Sequence, residues 1–210
     1  MADNIKKQEQ INSSSESKHY VPPLDNPSTT TLLKNLLNES VVKCYTKDNV
    51  LIKKGMEQAS AARIFYYMQN AIDTDKRFQI FKNYNLDCEY YKNINAPKIT
   101  PSKPYGSRPD LILHKRESNK NNILVCEFKS TNDNNHSDYE SDYNKLKDFT
   151  SNSGIYRYKL GVFVRLNSEN PSYVYFKEGE KLLNQDLLIP IISRDWKMNP
   201  LFLQAQKVLL

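Results

Sequence analysis

Residues 123–129 read Ile-Leu-Val-Cys-Glu-Phe-Lys. In an extended chain Ile123, Val125, Glu127 and Lys129 share one face, and Leu124, Cys126 and Phe128 share the other. A strand that is apolar on both faces must be covered on both, which places it at the centre of an α/β fold rather than at a wetted edge. The run turns charged only at its end, and charges carried into buried surroundings need partners. Upstream stands the only Pro-Asp of the chain, Pro109-Asp110, followed by Leu111-Ile112-Leu113 and the polar loop 114–122. Folding the two runs into an antiparallel hairpin sets Leu113 against Leu124, Ile112 against Val125 and Leu111 against Cys126. Asp110 then falls opposite Glu127. Opposed side chains stand about 5 Å apart at Cβ, and Lys129 follows one pleat further, about 7 Å along the same face.

Two carboxylates that close repel unless a proton or a cation lies between them. With no His or Cys beside them, they suit a hard, oxygen-seeking ion such as Mg²⁺, with Mn²⁺ as the substitute. A lysine next to that ion can orient water and offset charge that builds on a phosphate. The combination suits hydrolysis of a phosphodiester.

The rest of the chain supplies the frame. Ser28 is expected to cap a short helix carrying Leu32, Leu33, Leu36 and Leu37. After Gly55 a longer helix is expected, because Glu57, Ala61, Ile64, Met68 and Ile72 recur at steps of four and three and so share one face, headed by an acid. Phe78 to Tyr91 reads as an extended aromatic stretch. Tyr139, Tyr143, Leu146 and Phe149 predict a helix after the hairpin, and Tyr158 to Leu166 a further buried strand. Tyr173 to Phe176 and Leu187 to Ile192 read as strands, and Pro200 to Leu210 as a small helix. The core order is helix, three strands, helix, strand.

Pro109-Asp110, a spacer of 16 residues and Glu127-Phe128-Lys129 resemble the Pro-Asp…(Asp/Glu)-x-Lys motif of the restriction-endonuclease-like (PD-(D/E)xK) nucleases, whose core has the same order of elements. The resemblance spans about residues 51–166. It implies a mixed central sheet flanked by helices, and a metal-dependent endonuclease or exonuclease acting on nucleic acid, with DNA the first expectation. It implies metal ligation by Asp110, Glu127 and the backbone carbonyl of Phe128, water activation by Lys129, and a further acid from the first helix, Glu57. Family members often carry a polar residue on the helix after the motif, where Asp142 and Lys145 stand. The bare Asp/Glu-x-Lys pattern occurs three times in the chain, at Glu16, Glu127 and Asp195. Only the second copy ends a buried strand at hairpin distance from Pro-Asp.

Each residue also has a plainer reading. Glu127 and Lys129 could form a strand-end ion pair while Asp110 caps the turn after Pro109. Glu57 could serve the helix dipole, and Asp142 with Lys145 a solvated helix face.

Thirty Lys and Arg against 24 Asp and Glu leave a net charge of +6. Between residues 92 and 116 the balance is already +5: Lys92, Lys98, Lys103, Arg108, Lys115 and Arg116 against Asp110. This surplus around the motif suits a phosphate backbone, and Lys98, Lys103, Arg108, Lys115, Arg116 and Lys145 are the candidate contacts. A solvated loop is the bland alternative. Residues 1–28, rich in Asn, Gln, Ser and Lys, read as a tail without fixed structure, and 29–210 as one domain. Three dispersed cysteines, no signal-like apolar segment and no spanning run predict a soluble intracellular protein without disulfides. A homodimer or a larger nucleoprotein assembly fits, and so does a catalytically silent binding or interaction subunit, with Val208-Leu209-Leu210 as a docking end.

Overall fold

The structure, a computed structural model, describes residues 27–130 and 136–182. The strand expected at 187–192, the helix at 200–210 and nearly all of the tail expected over 1–28 lie outside the described residues. Pro27 and Ser28 open the first helix, α1 (Pro27–Lys47). That helix runs well past the four leucines that announced it. Val41, Cys44 and Tyr45 continue their stripe into the core. Buried Ser40 donates its hydroxyl to the Leu36 carbonyl 2.8 Å away, so a polar residue sits on that stripe without breaking it.

A short helix, α2 (Asn49–Lys53), ends at Gly55, whose φ of +65° turns the chain into α3 (Glu57–Thr74). Ala61, Ile64, Met68 and Ile72 are buried as their spacing requires, and Glu57 sits in the first turn. The extended stretch expected from Phe78 starts later. Asp75 accepts a hydrogen bond from the Arg77 N–H (2.9 Å) and caps a 3₁₀ turn over Lys76–Phe81. Three residues per turn bring Phe78 and Phe81 to one side, both buried.

The main sheet contains β1 (Asn85–Cys88), β4 (Leu111–His114), β5 (Leu124–Ser130), β6 (Leu160–Leu166), β7 (Pro171–Lys177) and β8 (Glu180–Lys181), in that spatial order. A separate two-stranded ribbon, β2 (Lys92–Asn93) with β3 (Ala96–Pro97), occupies the proline-punctuated insertion. β5 and β6 run parallel, joined across α4 (His136–Thr150), while the other neighbours in the main sheet are antiparallel. The hairpin register is the one the alternation predicts: Leu111 with Cys126, Ile112 with Val125, Leu113 with Leu124.

Helices cover both faces of the sheet. Leu124, Cys126 and Phe128 pack with α1 and α3 in the larger core. Ile112, Val125, Phe163 and Phe176 pack with Tyr139, Leu146 and Phe149 of α4 in the smaller one. The chain is thus a mixed α/β protein with a mixed sheet between helices.

Gly161 sets how closely α4 approaches the sheet. A Cβ there would stand 2.9 Å from Thr150 Cγ2 and 3.2 Å from Phe176 Cβ. Thr150 cannot turn away freely, because its hydroxyl donates to the Leu146 carbonyl at 2.8 Å. Gly161→Ala is expected to destabilise the fold by about 1–3 kcal/mol through overpacking, read as a lower urea midpoint at unchanged slope.

Candidate functional site

β5 is seven residues long and β4 only four, so the C-terminal half of β5 overhangs its neighbour. The backbone groups of Phe128 and Ser130 along that open edge have no strand to pair with. Two carboxylates take its place. Asp110 Oδ2 accepts from the Phe128 N–H at 2.7 Å, and Glu57 Oε2, reaching in from α3, accepts from the Ser130 N–H at 2.9 Å. Asp110 is also held through its own carbonyl, which accepts from the Glu89 N–H at 3.1 Å. Within a strand, the N–H and C=O of one residue point to the same edge. The Phe128 carbonyl therefore opens toward the gap between the two carboxylates, whose anchoring N–H groups lie about 7 Å apart along β5.

Glu127 faces α4 and is 2 % exposed. Its Oε2 lies 2.6 Å from the Lys145 ammonium, which is also 3.4 Å from Asp142. Its Oε1 is buried and has no hydrogen-bond partner among the described residues. The expected solvated helix face for Asp142 and Lys145 is thereby corrected: Lys145 is buried against the sheet and is the cation that Glu127 meets. Its sequence signal was its place four residues before Phe149, beside the apolar stripe of the helix. Lys129 lies half-buried on the same face of β5 as Glu127, in register with Arg165 of β6. The Arg165 guanidinium lies 4.7 Å over the Tyr139 ring.

Asp110, Glu127 and Asp142 share the field of Lys145, and Glu57 adds its charge at Asp110. Burial pushes the Asp110 carboxyl up to about 6. The Phe128 N–H and Lys145 oppose the rise, and the charges of Glu57 and Asp142 add to it. Burial first, and then the Asp110 charge, drive Glu127 well above the carboxylate range. Burial works against the Lys145 ammonium, yet Glu127, Asp142 and Asp110 outweigh it and hold the proton on.

A cleft of about 330 Å³ opens beside Asp110 and Glu57, walled by Ala61, Ala62 and Cys88, with Glu89 at its rim. Glu89 escaped the sequence reading. Its carboxylate stands 3.5 Å from Arg108. Among the described residues no three His, Cys, Asp or Glu side chains are gathered in the geometry of a ready metal site. The donors that are present nonetheless fit a hard divalent ion: all are oxygens, and among the described residues one buried carboxylate oxygen has no partner.

The basic candidates are dispersed. Lys98 is buried, donates to the Lys92 carbonyl and lies 4.6 Å over the Tyr90 ring; burial brings its pKa down to about 8. Lys98 and Lys145 are therefore inside the protein and present no charge to a surface phosphate. Lys103 donates to Ser141 Oγ at 2.7 Å, next to Asp142, and Arg108 is exposed beside Glu89. Lys115 donates to the Asn83 carbonyl and Arg116 pairs with Asp87. Both follow β4, about 15 Å along the strand from Asp110. His114 pairs with the same Asp87 at 2.9 Å, in a structural role.

No family model matches this chain, and neither the curated proteins nor the solved structures searched contain a match.

Two outcomes follow from the site. The folded state holds the Asp110 proton more tightly than the unfolded chain does. Stability from this group is therefore full below about pH 4 and lost as pH rises through about 6, a loss on the order of 3 kcal/mol by neutral pH. Urea unfolding of wild type and Asp110→Asn between pH 4 and 8 checks this: the Asn variant should gain on wild type across that window. Lys145→Met should cost about 3–5 kcal/mol by stranding a buried carboxylate, and adding Glu127→Gln should recover much of that loss.

Proposed function

We propose that the protein is a metal-dependent phosphodiester hydrolase of the restriction-endonuclease-like (PD-(D/E)xK) class, acting on nucleic acid, with DNA the first substrate to test. One observation carries this reading. Asp110 and Glu57 accept from the Phe128 and Ser130 N–H groups at the overhanging end of β5, Glu127 stands on the same strand end, and a buried oxygen of Glu127 has no partner among the described residues. Structural carboxylates alone do not call for an acid left half-satisfied in the core.

Asp110, Glu127, Glu57 and the Phe128 carbonyl would hold Mg²⁺, or Mn²⁺ in its place. Such an ion supplies Lewis acidity toward a phosphoryl oxygen and lowers the pKa of bound water. The chain's own residues do the rest. The Phe128 and Ser130 N–H groups fix the orientation of Asp110 and Glu57, so neither acid has to be ordered when a substrate arrives. Lys145 keeps Glu127 from carrying an uncompensated charge in the core. Lys129 stands beside Glu127 to orient the attacking water and offset charge on the phosphate, and Arg165 adds a second cation at the same strand ends.

A second reading, a catalytically silent nucleic-acid-binding or interaction subunit, is favoured by the structural partners the acids already have: two peptide N–H groups and one ammonium. Cleavage assays separate the two. Plasmid and single-stranded substrates are incubated with Mg²⁺, Mn²⁺ or EDTA. Asp110→Asn and Glu127→Gln should abolish metal-dependent cleavage, and Lys129→Ala should slow it roughly 10²-fold or more. In EDTA the carboxylate variants should bind nucleic acid as well as wild type or better, since less negative charge faces the phosphate. Folded carboxylate variants that cut as fast as wild type would overturn the assignment.

A further inference from the structure

The end of the sheet opposite the acids carries a groove whose described charged lining residues are mostly cations. β6 runs parallel to β5 and β7 antiparallel to it, so Lys159, just before β6, and Lys177, at the end of β7, flank the sheet at that far end. They lie about 10 to 13 Å along the strands from the level of Glu127. Two clefts of about 360 and 390 Å³ adjoin there, and both are walled by Arg157 and Lys159. Lys177 lines the first and Lys120 the second, so among the described lining residues the charged groups are Lys120, Arg157, Lys159, Lys177 and one acid, Glu178. Glu178 stands 3.3 Å from Lys177 with both side chains about half exposed, a pair that solvent weakens.

Arg157 has a φ of +51°, a left-handed backbone that costs energy in any residue bearing a Cβ and that persists where the surroundings impose it. The conformation presents an exposed guanidinium at the junction of the two clefts. Its Nε donates to the Gly154 carbonyl at 2.9 Å, which aims the group while using one of its five donors.

We propose that these adjoining clefts form a second polyanion site that grips the phosphate backbone of a nucleic-acid duplex, remote from the acids. The assignment to nucleic acid rests on the reading of the acid cluster as a phosphodiester hydrolase. Two joined clefts sharing a central arginine suit a track of successive phosphates rather than one isolated anion. Single strands are held by stacking bases on exposed rings, and among the described residues no exposed ring lines either cleft; Tyr158 is buried. A membrane surface would call for an apolar wedge, and among the described residues Ile155 is the lone exposed apolar side chain in the walls.

The test is fluorescence anisotropy of a labelled 30-base-pair duplex in EDTA, titrated across salt, with wild type, K120A/R157A/K177A, R157A and R157K. Wild type should show a steep negative salt slope. The triple variant should bind at least tenfold more weakly at low salt and lose about 2 to 3 from the logarithmic slope, near 0.9 per phosphate contact removed. R157A should lose about 1, and R157K should keep the wild-type slope. Because these side chains lie at the surface, thermal melts should be unchanged, and R157A keeps the test readable if the triple variant does not fold. A triple variant that binds like wild type, or wild type without salt-dependent duplex binding, overturns the groove. So does loss of binding to phosphatidylserine vesicles with duplex binding intact, which would reassign the surface to a membrane. Cleavage in Mg²⁺ is scored separately. Unchanged duplex binding with intact cleavage removes the groove and leaves the hydrolase reading, whereas binding lost as expected without any wild-type cleavage keeps the groove and removes the hydrolase.

Discussion

The unequal length of β4 and β5 governs much of what surrounds them. β5 is buried on both faces and runs on past the end of its neighbour, which leaves the Phe128 and Ser130 N–H groups along an unpaired edge. An unmet buried N–H costs about 1–3 kcal/mol, so the edge has to be completed by something. A further strand residue would close it with neutral peptide groups and no open coordination. Carboxylates from Asp110 and Glu57 close it with negative charge, each leaving a second oxygen for other bonds. The same hydrogen bonds that finish the sheet therefore also aim two acids at one gap.

That arrangement runs against stability. Glu127 lies under α4 with one oxygen on Lys145 and the other without a partner among the described residues, while Asp110 and Glu57 add charge of the same sign nearby. A core built for stability alone would place an apolar residue at position 127, as it does at 124, 125, 126 and 128. Two separate apolar clusters, one under α1 and α3 and one under α4, hold the sheet firmly enough to carry the strain. Gly161 and the Thr150 hydroxyl set the seat of α4, and with it the reach of Lys145.

Charge is divided along the strands rather than between the two faces. Carboxylates gather where β5 and β6 end, and Lys120, Arg157, Lys159 and Lys177 gather where β5 and β6 begin. The +5 surplus between residues 92 and 116 is split by this arrangement. Arg108 stays near the acids, Lys115 and Arg116 go to the far end of β4, and Lys98 goes inside against Tyr90. Proximity in sequence to Asp110 did not bring Lys115 and Arg116 to it, because a four-residue strand separates its two ends by more than a salt bridge can span.

The hairpin register was legible in the sequence because side chains alternate strictly along a strand: one pairing puts Leu111, Leu113, Leu124 and Cys126 together on one face, and a slip of one would divide them between the two faces. Glu57 was legible through the 3.6-residue period that ties it to Ala61, Ile64 and Met68. The 3₁₀ turn at 76–81 was missed because a period of three over six residues is too short to stand out from an aromatic run, although the Asp75 cap announced it. Only the tertiary structure decided that Lys145 meets Glu127, that Lys98 is buried, that Arg165 stands in register with Lys129, and that Glu57, in the first turn of its helix, also bonds to Ser130. Periodicity determines which face of an element a residue occupies. Which group waits across that face depends on how elements distant in sequence are stacked, and on how far a long side chain extends once they are.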